Sequence, residues 1–173
     1  MFCQLCDHID IFFGNIFTDP DYFFRDYYPQ FLRDGYFYIS TYHPYRNRTN
    51  PKFNNASRDI LSIKNLDMFT ITRVAQALIR QRHRWGPSAE LITVVPSHTP
   101  NNLDTGIKRI ARILVENDVY KDAVDVLERI YPIHRLSDGG NRHPNQHLST
   151  IRVNNPALIK GKKILLLDDV ATT

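Results

Sequence analysis

The sequence predicts an α/β protein built on an open, mostly parallel sheet, and three observations carry that prediction. Ile164 to Leu167 are four consecutive apolar residues, which suits a strand buried on both faces, as the strands of parallel sheets are. Leu91 to Val95 (LITVV) is a second such run, closed by Pro96 and followed by the polar turn SHTPNNLDTG. Before and between these runs, apolar residues recur at helical spacing, so strand and helix alternate as in βαβ units.

The bulk properties narrow the class. A chain of 173 residues can bury ~70% of its unfolded surface in one domain, or form one domain with an appendage. At 42% hydrophobic and 23% charged residues the composition is that of an ordinary globular protein. The net charge of +4 fits a small anionic ligand without singling out nucleic acid, because no block of consecutive basic residues accompanies it. No apolar run approaches the ~20 residues of a membrane span, and MFCQLCDHID lacks the basic region and apolar core of a signal peptide. With only two cysteines, the expected location is the cytoplasm and no membrane partner is expected.

Taken in order, the chain divides near residue 56. All aromatic residues except Phe69, Trp85, Tyr120 and Tyr131 precede it, so residues 1–56 read as an aromatic-rich N-terminal appendage and 57–173 as the main domain. Within the appendage Tyr36 to Tyr42 suits a strand, and RNRTNPKFNN reads as a loop. Cys3 and Cys6 supply half of a tetrahedral site, and His8 and His43 are the nearest further ligands, so no stoichiometric zinc is expected.

Asp67 is placed to cap a helix whose apolar positions are Phe69, Ile71, Val74, Ala75, Leu78 and Ile79, ended by Gly86 and Pro87. After the LITVV strand, Asp104 is expected to cap a helix through Ile107, Ile110, Ala111, Ile113 and Leu114. A further strand is expected within residues 122–130, with Val124 and Val126 as its apolar positions, and a helix stays open as the alternative. Residues 131–163 are polar and rich in Gly, Pro, Asn and His, which suits a lid or binding loop. His134, His143 and His147 within it lack the spacing and acidic company of a metal site.

The terminal strand delivers Asp168 and Asp169 to its carboxyl end, where open α/β sheets bind ligands. Val170 and Ala171 follow, and then the hydroxyls of Thr172 and Thr173, suited to a turn that cradles phosphate. A P-loop NTPase could carry such acids, but no Gly-x-x-x-x-Gly-Lys-Ser/Thr occurs upstream. A receiver domain would place them on its first strand. A core strand ending in a solvated acidic turn stays open as the plainest alternative.

Ile164 to Thr173 resembles the 5-phosphoribosyl-1-pyrophosphate (PRPP) motif of the type I phosphoribosyltransferases: an apolar strand, two acids, two variable residues and two Thr or Ser. The sequence stops before the Gly that follows in that motif, so the expected domain is incomplete at its C-terminus and residues 1–173 alone are expected to bind PRPP weakly. Val94, Val95, Pro96 and His98 are similar to the V-P-x-H of ComF-like members, although NNLDTG replaces their usual basic continuation. Gln146 and Arg152 with Asn154 or Asn155 fall where those members carry a Gln and an Arg-x-x-Asn-like stretch.

The resemblance implies a phosphoribosyltransferase-like fold and transfer of a phosphoribosyl group from PRPP to a nitrogen nucleophile with release of pyrophosphate. Asp168 and Asp169 would be catalytic and would hold the ribose hydroxyls. Ala171, Thr172 and Thr173 would begin the phosphate cradle, while Ser97, His98 and Arg152, with Arg135 and Arg142, would meet pyrophosphate. Magnesium would be carried mainly by PRPP. Two other classes stand beside this enzyme: a ComF-like PRPP- or nucleotide-binding module of DNA uptake without turnover, and a nucleic-acid-binding protein using the aromatic segment.

Overall fold

The computed structural model describes residues 9–13, 30–31, 37–38, 42–46, 49–80, 82, 89–134 and 144–169. Cys3, Cys6, His8, Arg135, Arg142, His143, Ala171, Thr172 and Thr173 lie outside the described residues.

The chain forms an α/β fold. Among the described residues the main sheet has six strands: β1 (Ile9–Phe13), β2 (Gln30–Phe31), β3 (Phe37–Tyr38), β4 (Leu91–Val94), β5 (Lys121–Asp122) and β8 (Ile164–Asp168). Their order is β2-β3-β1-β8-β4-β5, and every neighbouring pair is parallel except β2 with β3. The terminal strand is therefore central, with Ile164 opposite Ile9 on one side and Leu91 on the other. The sheet draws strands from both sides of residue 56, since β1 lies in full register along β8.

Three helices cover one face: α1 (Asn55–Lys64), α2 (Met68–Arg80) and α3 (Gly106–Glu116). Asn54 starts α1 by accepting from the Ser57 amide at 2.9 Å, a helix the Asn- and Pro-rich sequence had not suggested. Leu66, at φ 62°, turns the chain at the end of α1, with its own amide bonded to the Ile63 carbonyl and the Asp67 amide to the Ser62 carbonyl. This reversal places Asp67 where its carboxylate accepts from the Thr70 amide at 3.0 Å and caps α2. At α3 the cap is Thr105, which accepts from Lys108, while Asp104 instead pairs with Arg109. Asp104 stands one residue too early to reach the first free amides of the helix.

Strand pleating sorts the core into two parts. Ile92 and Val94 of β4 and Leu165 and Leu167 of β8 meet Ile60 and Ile63 of α1, Ile71 and Val74 of α2, and Ile110 and Leu114 of α3. Each fully buried aliphatic side chain of this kind stabilises the fold by about 1.5–3 kcal/mol relative to exposure. Leu91 and Ile164 face the other way and meet Ala123 and Val126, with Leu127, Val153 and Ile159 beside them.

The stretch 122–130 is not one strand. Asp122 ends β5 by accepting from the Val124 amide at 2.9 Å, and this side-chain turn rotates the chain into β6 (Leu127–Arg129). β6 leaves the main sheet and pairs antiparallel with β7 (Ile151–Val153). The expected long loop thus contains α4 (Pro144–Thr150), β7 and the single turn α5 (Pro156–Ile159). Among the described residues no helix is long and apolar enough to cross a membrane.

Candidate functional site

Parallel pairing of β4 and β8 sends the residues after both strands to the same edge of the sheet. On β8 these are Asp168, which stands opposite Phe13 of β1, and Asp169. On β4 they are Pro96, Ser97, His98 and Thr99, and the Val95 amide still bonds the Leu167 carbonyl at 3.0 Å. The sequence-predicted carboxylates and the predicted anion-binding turn are therefore neighbours by topology.

The two acids have unequal surroundings. Asp168 is half-buried, and that burial, followed by the adjacent Asp169 carboxylate, pushes its pKa from 3.8 up to about 8. Its Oδ1 accepts from the Asp169 amide at 2.8 Å. Asp169 faces outward and pairs through Oδ2 with Lys64 Nζ at 3.0 Å. Lys64 is the last residue of α1, where a cation also complements the helix dipole, and its ammonium lies 5.9 Å from the centre of the Tyr42 ring. Neither Lys64 nor Tyr42 was singled out by sequence, because Lys64 reaches Asp169 only through packing of α1 against the sheet edge, and Tyr42 meets Lys64 rather than the acids.

A search of family models, curated proteins and solved structures finds no match to this chain. Function rests on the site alone.

The β4 turn is held from below. Arg129 of β6, only 4% exposed, donates from Nε to the Ser97 carbonyl at 3.0 Å, and its remaining bonds go to the Pro96 carbonyl and Thr150 Oγ1. The Ser97 hydroxyl accepts from Asn102 Nδ2 at 3.2 Å and lies 3.5 Å from His98 Nδ1. The His98 carbonyl accepts from the Ile133 amide at 3.0 Å. Ser97 and Thr99 border a cleft of about 190 Å³ that opens toward β6, and neither Asp168 nor Asp169 lines it.

Arg152, on β7, is exposed and pairs with Glu128 Oε2 at 2.7 Å, on the β6 side of that cleft. The predicted residues thus fall into two groups: Asp168 and Asp169, beside Lys64, and Ser97 and Arg152, beside Arg129 and Glu128 respectively. His147 lies on α4, where burial and the nearby Arg129 charge hold its pKa below the usual histidine value.

Among the described residues no group of three or more His, Cys, Asp or Glu side chains is placed to hold a metal ion. Two adjacent carboxylates are hard oxygen donors suited to magnesium, but the Lys64 ammonium already occupies one Asp169 oxygen.

Proposed function

We propose that this protein binds PRPP at the carboxyl edge of β8 and transfers its phosphoribosyl group to a nitrogen nucleophile. The observation that carries this reading is the presentation of Asp168 and Asp169 at the end of a buried, central, parallel strand, beside the turn that follows β4. In the reaction the nucleophile forms a bond to C1 of the ribose as the bond from C1 to pyrophosphate breaks, and the leaving group departs with the electron pair. Positive charge develops on the ribose ring at that moment, so a carboxylate held alongside stabilises it.

The unequal acids suit unequal tasks. Asp169, paired with Lys64, offers its remaining oxygen to one ribose hydroxyl. Asp168, whose carboxyl holds a proton to about 8, donates a hydrogen bond through that proton to the oxygen of the other hydroxyl. Magnesium on the substrate would offset the charge of the departing pyrophosphate.

The test is PRPP titration of the full-length protein and of its Asp168→Asn and Asp169→Asn variants, after thermal melts establish that each folds. A charge-assisted hydrogen bond contributes ~1.5–3 kcal/mol, so Asp169→Asn should bind roughly ten-fold to a hundred-fold more weakly, and Asp168→Asn should do so above about pH 8, where Asp168 is ionised. Unchanged affinity in both would refute the assignment. Release of pyrophosphate with a base acceptor distinguishes transfer from binding alone.

A further inference from the structure

Lys108 ties α3 to the segment that opens β6. Its ammonium meets Asp125 Oδ1 at 2.6 Å, and its side chain is only 7% exposed. Lys108, Asp125 and Glu128 all line the 190 Å³ cleft behind the β4 turn. The Glu128 carboxyl is held below its usual pKa by bonds from Arg152 and Asn154, and the Lys108 charge adds to that pull. The buried ammonium therefore stands among cleft-lining carboxylates. Among the described residues Asp125 is its one hydrogen-bond acceptor, which leaves two of its three N–H donors unused. Buried donors without acceptors are costly, and a ligand oxygen entering the cleft would offset that cost.

Glu128 supplies the matching acceptor. Arg152 and Asn154 both bond its Oε2, at 2.7 and 3.0 Å, and among the described residues no donor reaches Oε1. Asn154 lines the cleft as well, so side chains from α3, from β6 and its approach, and from the end of β7 stand together in the lining. Charge decides which ligand suits them. Lys108 is balanced by Asp125, and Glu128 by Arg152. A free anion or cation would have to compete with counter-charges already in place, whereas a neutral hydroxyl accepts from Lys108 and donates to Glu128 through one oxygen. Leu103 and Leu127 add apolar lining suited to the C–H face of a ring. The volume lies below the roughly 300–1,000 Å³ typical of sites for drug-sized ligands, which suits a single sugar ring and excludes a nucleotide or PRPP itself.

We propose that this cleft is a second binding site, separate from the Asp168 and Asp169 edge, for a neutral polyol of monosaccharide size. One ligand hydroxyl bridges Lys108 Nζ and Glu128 Oε1, and its neighbours on the ring meet Asn154 and the Ser97 and Thr99 hydroxyls.

The probes are D-xylose, tetrahydropyran (the same ring size without hydroxyls) and inorganic phosphate, titrated into isotopically labelled full-length protein and followed through backbone amide shifts. Xylose should shift the amides of Thr99, Lys108, Glu128 and Asn154 and bind at least roughly ten-fold more tightly than tetrahydropyran, because several hydrogen bonds are lost with the hydroxyls. Phosphate should leave Lys108, Glu128 and Asn154 in place. Glu128→Gln keeps size and removes the charge, and Lys108→Met keeps the apolar stem and removes the donors. Each should weaken xylose roughly ten-fold and leave PRPP affinity unchanged. Glu128 is partly exposed, so its variant decides the matter where the buried Lys108 change unfolds the protein. No shift with xylose, equal binding of tetrahydropyran, tighter binding of phosphate at these residues, or insensitivity to Glu128→Gln would each overturn the site. Because PRPP is measured separately, loss of this proposal leaves the phosphoribosyl reading to its own test.

Discussion

Lys64 sets how the two acids differ. Its ammonium sits on Asp169 and also pulls the Asp168 titration downward, against the larger upward push of burial and of Asp169. Lys64→Met removes the charge and keeps much of the apolar stem. The Asp168 carboxyl carbon, followed by NMR, should then titrate at higher pH than in the parent protein. Stability should change by less than about 1 kcal/mol, because exposed ion pairs contribute little. A titration at unchanged pH would mean that Lys64 does not act on the acid pair and that the contact is incidental. The residue scale was only half legible in the sequence. Asp168 and Asp169 stand out because they end an apolar run, whereas Lys64 and Arg129 act on residues 105 and 32 positions away, and nothing in their own neighbourhoods marks them.

At the scale of elements, α1 and α3 approach closely where α3 begins. Gly106 opens α3 directly against the last turn of α1, where a Cβ would run into the Ile63 carbonyl and its Cγ2. Gly106→Ala gains up to ~1 kcal/mol of helix propensity, but overpacking costs ~1–3 kcal/mol, and here the obstacle includes backbone. We expect a net loss of stability, read as a lower urea midpoint at unchanged slope. Since Ile63 adjoins Lys64, the same displacement should weaken the Lys64 contact with Asp169 and shift the Asp168 titration as Lys64→Met does. A more stable Gly106→Ala protein would show that the two helices can separate freely. The long periodic elements were legible: β4, β8, α2 and α3 each present enough apolar positions to reveal their period. α1 was hidden because it begins in an Asn- and Pro-rich stretch, and β6 and β7 because three residues are too few to display alternation.

At the scale of the whole molecule, strand order is the feature sequence could not supply. That β1 lies beside β8 depends on pairing across more than a hundred and fifty residues, which no local pattern encodes. The result is a terminal strand shielded on both sides, and shielding is what pushes Asp168 upward. This has a consequence for the folding equilibrium. In the unfolded chain Asp168 loses its proton near 3.8, but in the folded protein it keeps it to about 8. Between those values the folded state holds more protons than the unfolded one, so stability falls as pH rises across the window. Asp59, also raised by burial, contributes in the same direction. Asp67 and Glu128, lowered chiefly by side-chain hydrogen bonds with Thr70 and Arg152, act oppositely and withdraw stability only as the solution becomes more acid. The urea midpoint should therefore decline between about pH 5 and about pH 8, and Asp168→Asn, which cannot ionise, should decline less. The variant should gain most on its parent at the alkaline end. Parallel pH profiles for the two proteins would mean that Asp168 is solvated at the end of β8, and would remove the electrostatic asymmetry on which its proposed hydrogen-bond-donor role depends.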